Sequence, residues 1–179
     1  MNARIALCIG IFALNSFSQI LSVESGAQQF LGDLNSEIKI SPYINGTFEI
    51  DISKIYGMYL SATYSFLNLK DNNDFEGLHQ FLGRAGVETS KELCKFCEFV
   101  SLGTGISLAF VRGKSANSNA ENYMLSDNES EFGWHSILTV RALQIERFVF
   151  GARFYYDRIW TIPKQSSFLN GGIFAGMQF

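Results

Sequence analysis

The sequence predicts an all-β chain folded as an eight-stranded antiparallel up-and-down transmembrane β-barrel. Three observations predict it. From about residue 37 onward, seven segments alternate apolar and polar residues with period two, as strands with one apolar face do. Each segment runs roughly ten to thirteen residues, enough for a tilted strand to cross a hydrocarbon layer and longer than a typical soluble-domain strand. The composition agrees: of 179 residues only 17% are charged and 15% are aromatic, with 16 Gly and 2 Pro, which favours many strands over many helices.

The chain opens on a different pattern. Arg4 precedes an apolar stretch over residues 5–14, and the small residues Ser16 and Ser18 follow. This is the three-part layout of a secretory signal peptide. The expected organisation is a signal peptide over 1–18 and a single barrel domain over 19–179. A second possible cut follows Ala27 in Ser25-Gly26-Ala27. Cys8 lies inside the apolar stretch, too early for a lipoprotein signal, and the stretch is too short to span a bilayer as a helix.

The seven segments follow in order. In 37–49, Ile38, Ile40, Pro42, Ile44 and Phe48 share one face, against Lys39, Ser41, Asn45, Thr47 and Glu49. In 55–67, Met58, Leu60, Ala62 and Phe66 oppose Tyr59, Ser61, Thr63 and Ser65. In 78–89, Phe81 and Val87 oppose Gln80, Arg84 and Glu88. In 98–111, Leu102, Ile106, Leu108 and Phe110 oppose Ser101, Gly103, Gly105 and Ser107. In 131–143, Phe132, Trp134, Leu138 and Val140 oppose His135, Thr139 and Arg141. In 147–157, Phe148, Phe150 and Phe154 oppose Gly151, Arg153 and Asp157. In 168–179, Leu169, Ile173, Met177 and Phe179 oppose Asn170, Gly172 and Gln178.

Single-chain bacterial barrels have an even number of strands, so an eighth is expected within 19–35. The residues Gln28, Gln29, Phe30 and Leu31 are candidates, but the alternation there is poor; a short helix or an extended tail is the alternative. The connections largely alternate long with short, the longest being the polar stretch 112–130, although the segment 90–97 blurs the rule.

The polar faces carry Gly, Ser, Thr and Asn together with Lys39, Arg84, Glu88, Arg141, Arg153 and Asp157. Small residues and compensating charges suit the narrow interior of an eight-stranded barrel, which side chains fill. The large apolar face then meets lipid. Aromatic residues cluster at the strand ends: Tyr64, Phe66, Phe110, Phe132, Trp134, Phe154, Tyr156, Trp160 and Phe168 toward one rim, and Phe48, Tyr56, Phe99, Phe148 and Phe179 toward the other. Two such belts anchor a barrel at the membrane interfaces.

The terminal stretch Gly171-Gly172-Ile173-Phe174-Ala175-Gly176-Met177-Gln178-Phe179 resembles the C-terminal signature of outer-membrane β-barrel proteins. The chain as a whole resembles the small OmpX/OmpA-type barrels and the broad outer membrane protein beta-barrel domain group. That resemblance implies residence in the bacterial outer membrane, contact with its lipid, and recognition of Phe179 by the barrel-assembly machinery. The expected state is a monomer with both termini in the periplasm. A net charge of −3 speaks against nucleic-acid binding, which needs a basic footprint.

Few residues suggest chemistry, and no catalytic residue, cofactor or metal site is expected. Cys94 and Cys97 form Cys-Lys-Phe-Cys; the simplest reading is a local disulfide in a periplasmic turn, with free thiols or a metal or redox role as alternatives. His79 and His135 are the two histidines. Some small barrels are lipid-modifying enzymes, which draws attention to Glu131, His135 and Ser136, yet adjacent strand residues point to opposite faces. The interior charges would sooner plug a narrow lumen than line an open pore. The expected function is therefore a structural or surface-binding role without catalysis. The alternatives are a lipid-modifying barrel enzyme (acyl transfer or deacylation) and a narrow porin-like channel.

Overall fold

The computed structural model describes residues 18–32, 35, 38–70, 75–90, 93–115, 128–160 and 166–179. The signal segment lies outside the described residues except for Ser18. Eight strands follow one another: β1 Gln19–Leu31, β2 Ser41–Asp51, β3 Tyr56–Leu67, β4 Phe75–Thr89, β5 Val100–Ser115, β6 Asn128–Ile145, β7 Phe148–Ile159 and β8 Ser166–Gln178. Each pairs antiparallel with the next, and β8 returns to β1, so the sheet is a closed up-and-down barrel. Closure leaves no strand edge unpaired, a condition any sheet must meet inside lipid.

The strand that sequence alternation left weakest is fully formed. β1 pairs with β2 from Gln19↔Ile50 to Gln28↔Ser41 and with β8 from Ile20↔Gln178 to Leu31↔Ser167. Its inward side chains are Ile20, Ser22, Glu24, Gln28 and Phe30, and its outward ones include Leu21, Val23, Ser25 and Gln29. Apolar residues therefore stand inside at both ends of the strand and polar ones outside near one end. A pattern search for polar-in and apolar-out misses such a strand.

The connections sort by end. At the end where β1 begins and β8 ends, the terminus end, are 52–55, the described residues of 90–99 and a two-residue turn at Glu146 and Arg147. The opposite end holds the ends of β1, β3, β5 and β7 and the starts of β2, β4, β6 and β8. The stretch 112–130 is not a loop throughout: β5 continues to Ser115 and β6 begins at Asn128. Its acidic residues Glu121 and Asp127 lie outside the described residues.

The outer surface is apolar. Leu60, Leu102, Ile106, Leu108 and Ile173 are exposed along it. Toward one rim stand Phe66, Phe110, Phe132, Phe154 and Trp160, and toward the other Tyr56, Phe99, Phe148 and Phe179. Outward rings meet across strands, as Phe132 with Trp160 (6.0 Å between centroids) and Trp134 with Tyr156 (5.6 Å).

Three side chains depart from the sequence expectation. Phe168 does not join the outer rim but points inward, buried against Phe30 with ring centroids 5.2 Å apart. Lys39 is not an interior charge. The chain is out of strand at Lys39 and Ile40, where two successive residues are exposed, and Ser41 restarts the alternation inside β2. Ile38 rather than Lys39 turns into the barrel, bridging to Leu69. The main chain fixes this kink: Lys39 N–H donates to Asn68 O (2.7 Å), and Ser41 Oγ donates to Lys39 O (2.9 Å).

Phe30, Ile38, Leu67, Leu78, Leu82, Val111, Ile159 and Phe168 form one buried apolar cluster. It fills the barrel mouth at the end opposite the termini.

Candidate functional site in the barrel lumen

Below the apolar mouth the lumen is polar, and its side chains come from every strand. Gln28 of β1 donates to Gln80 Oε1 of β4 (2.6 Å) and accepts from Ser65 Oγ of β3 (2.6 Å). This layer separates the mouth from the charges.

The central layer holds Arg84 of β4 and Asp157 of β7. Arg84 Nε and Nη2 donate to the two carboxylate oxygens at 2.9 and 2.7 Å, and Nη1 donates to Thr63 Oγ1 at 2.7 Å. The guanidinium lies over the Tyr155 ring, 4.2 Å from its centroid. Asp157 also accepts from Ser107 Oγ at 2.8 Å.

Behind Ser107 stands His135, with Nδ1 2.9 Å from the serine oxygen. Tyr59 Oη meets the other ring nitrogen, Nε2. The proton directions follow from the inventory of donors. Ser107 has one O–H and gives it to Asp157. It therefore accepts from His135 Nδ1–H, which leaves Nε2 to accept from Tyr59 O–H. The donors run one way, from Tyr59 through His135 and Ser107 to a carboxylate already neutralised by Arg84.

The third layer lies toward the terminus end. Glu24 accepts from Tyr43 Oη and from Asn45 Nδ2 (3.2 Å) and faces Arg153 at 3.7 Å. Glu49 bridges two arginines, Arg153 through a short ion pair and Arg141 at 3.0 Å. Arg141 lies 3.9 Å from Glu88, which accepts from Ser101 Oγ at 2.8 Å. Arg153 also donates to Ser22 Oγ (2.8 Å) and stacks 4.1 Å from the centroid of Phe174. Among the described residues Arg141 Nε and Nη1 and Arg153 Nε have no acceptor.

Glycines make room for the rings inside. A Cβ on Gly86 would lie 2.6 Å from Tyr59 Oη, and one on Gly172 would lie 2.6 Å from Tyr43 Oη. Tyr59 fills space beside the adjacent strand β4, and Tyr43 of β2 reaches across β1 to β8.

The structure thus brings Arg84, Asp157, Glu88, Arg141 and Arg153 into one lumen and leaves Lys39 outside it. Sequence reasoning missed Glu24 and Glu49 as partners, and the tyrosines and Ser107 as members. Glu49 stood on the polar face of its segment beside the named residues. Glu24 lay where alternation failed.

Ser107, His135 and Asp157 have the residue types of an acyl-transfer triad but not its wiring. In a triad the base takes the serine proton and the acid orients the base. Here the serine oxygen faces an N–H, the carboxylate holds Ser107 and Arg84 rather than His135, and Tyr59 occupies the remaining nitrogen. All three residues are buried to within 1%. Ser136 lies on the opposite face of β6 from His135. His79 points outward at the rim, where Tyr64 Oη meets its Nδ1 at 2.6 Å. Among the described residues no three of His, Cys, Asp and Glu gather as metal ligands would.

Cys94 and Cys97 lie in the 90–99 connection at the terminus end, joined as a disulfide pair with Cα atoms 5.1 Å apart. Phe179 follows β8. Its ring is exposed, and its N–H donates to Gln19 O at 2.9 Å.

A closed antiparallel barrel with a girdle of apolar side chains outside and a paired polar lumen is the fold that bacterial outer-membrane barrels share. Solved structures agree on the fold. One is the attachment invasion locus protein Ail of Yersinia pestis in complex with the heparin analogue sucrose octasulfate: TM-score 0.61, 15% identity, covering 91% of this chain and 99% of that one. Another is Neisserial surface protein A (NspA): TM-score 0.61, 13% identity, covering 90% of this chain and 97% of that one. No family model and no curated protein matches the sequence.

Proposed function

We propose that the protein is a monomeric, non-catalytic barrel of the bacterial outer membrane, with its termini in the periplasm and its longer connections outside, serving envelope structure or surface binding. The observation that carries this reading is the filled lumen. Arg84–Asp157 and the Glu49-centred pairs occupy its middle, and Phe30, Leu78 and Phe168 close one mouth. A plugged interior favours neither solute passage nor substrate entry. It does make a rigid platform for the connections at 32–40, 68–74, 116–127 and 160–165. Two solved proteins of the same fold are named for attachment and invasion and for the cell surface, which fits a role at the surface.

The test is a comparison of cells with and without the protein for membrane integrity and for adhesion to host-type surfaces, using a variant with connection 116–127 shortened. Loss of adhesion with an intact envelope supports surface binding. Envelope leakage without an adhesion change supports the structural role. Acyl release from outer-membrane lipid by the purified protein would overturn both.

A further inference from the structure

The connection between β4 and β5 carries chemistry that the barrel does not use. Both of its ends are held by the main chain: Ser90 N–H donates to Ile55 O (3.0 Å), and Arg141 N–H to Phe99 O (2.6 Å). Between them the 3-10 turn Lys95–Glu98 brings Cys94 and Cys97 together. The bond closes a ring of only four residues, so it excludes few conformations of the unfolded chain. The barrel closes through its strand ladders, none of which runs through the sulfurs. A disulfide so placed contributes little as a fastener.

The two sulfurs are not equivalent. Cys94 is exposed, whereas Cys97 is only 8% exposed. Cys97 N–H donates to Cys94 O at 2.9 Å and to Cys94 Sγ at 3.2 Å. The second contact favours negative charge on Cys94. Access and thiolate stabilisation therefore coincide on one sulfur, and both govern thiol–disulfide exchange. Leu93 and Phe96 flank the cysteines along the chain and are exposed, Phe96 by 68%; an approaching polypeptide can cover these apolar side chains.

We propose that Cys94 and Cys97 form a thiol–disulfide exchange site, whose reaction partner is a protein carrying a reduced dithiol. One thiolate of the partner attacks Cys94 Sγ. A mixed disulfide forms, the Cys94–Cys97 bond breaks, and Cys97 leaves as a thiolate that takes up a proton. The partner's second thiol loses its proton and attacks the partner's first sulfur in the mixed disulfide, releasing Cys94 as a thiolate that takes up a proton, so that the two protons given up by the dithiol are balanced. In total the pair gains two electrons and two protons, and the partner dithiol becomes a disulfide. The ends of the connection stay fixed by Ser90 and Phe99, so the sulfurs separate without opening the barrel.

The test uses the protein purified from membranes in detergent. Reduced thioredoxin serves as the dithiol probe, with cysteine alkylation mapped by peptide mass and folding followed by heat-modifiable migration on gels. The expected result is reduction of the pair while the barrel stays folded. Reduction only after boiling would overturn the proposal. The single-thiol variants give a second readout: Cys94 in Cys97→Ser should react with Ellman's reagent about tenfold faster than Cys97 in Cys94→Ser. Equal rates would overturn the assignment of the attacked sulfur. In the double variant Cys94→Ser/Cys97→Ser the barrel should melt as the wild type does, and a large fall would mark the bond as a structural staple instead.

Discussion

Arg84 of β4 grips Asp157 of β7 across the lumen through two nitrogens and two oxygens, with both side chains fully buried. Two strands that are not neighbours in the sheet are thereby tied through the interior. Taking two charges from water is costly, and their attraction offsets that cost only while both are present. Arg84→Ala strands the Asp157 carboxylate, and Asp157→Ala strands the guanidinium. Each single change is expected to destabilise the barrel by about 3–5 kcal/mol. The double change to apolar residues of similar volume, Arg84→Met with Asp157→Leu, is expected to cost less than either. Urea titration in detergent followed by Trp fluorescence checks this. Additive losses would show that the two residues do not act as a pair.

The plugged lumen sets expectations for conductance. The wild-type barrel should give no steady current steps in planar bilayers at neutral pH. The apolar mouth and the central pair are in series, so opening one leaves the other closed. Phe168→Ala alone should stay silent, and so should its combination with Arg84→Ala and Asp157→Ala, because the Glu49-centred pairs still close the lumen toward the terminus end. Regular steps from the unmodified protein would contradict the filled interior.

The outer girdle makes a depth-dependent prediction. Ile106 lies outward near the middle of β5, whereas Phe66 lies outward at a rim. Ile106→Arg is expected to lower stability in bilayers by about 2–4 kcal/mol, and Phe66→Arg by only about 0–1 kcal/mol. Reversible folding into vesicles measures both. Equal costs at the two depths would sink the assignment of this surface to lipid.

The cut expected after Ser18 can be weighed against the pairing of β1. This strand begins at Gln19 and pairs on both sides, with Ala27 opposite Pro42 and Gly171. A cut after Ala27 would remove the larger part of the strand that closes the barrel. The mature protein is therefore expected to begin at Gln19, and intact-mass measurement of the protein from outer membranes decides it. A mature chain beginning at Gln28 would require a different closure.

Where the sequence was legible, one rule held along the middle of a strand. From Ser101 to Ala109 in β5 and from Gly151 to Asp157 in β7 the inward positions are small or polar and the outward ones mostly apolar, so alternation alone gave the register there. It failed where the lumen itself becomes apolar. Ile20 and Phe30 in β1, Ile38 before β2 and Phe168 in β8 all turn inward at the barrel ends, where a mouth is sealed with apolar groups rather than paired charges. Lys39 was misplaced for the same reason: extrapolating the period past Ser41 ignored that the chain leaves the sheet there. Pairings such as Glu49 with Arg141 and Arg153 were not legible, because they join strands distant in sequence, and alternation reports which face a residue occupies but not what stands opposite.

The last residue separates recognition from stability. The Phe179 ring is exposed, while its main-chain N–H bonds Gln19 O and helps close β8 onto β1. A substitution that keeps the backbone keeps that bond. Phe179→Ala is therefore expected to change the urea midpoint of the protein refolded in detergent very little, since an exposed side chain away from special features usually shifts stability by within about 0.5 kcal/mol. In cells the same variant should reach the outer membrane in much lower amount and accumulate in the periplasm if Phe179 is the assembly signal that the C-terminal resemblance implies. Fractionation and heat-modifiable migration of the two forms separate the effects. Normal assembly in cells would remove Phe179 as the signal, and a large loss of stability in detergent would make it a packing residue instead.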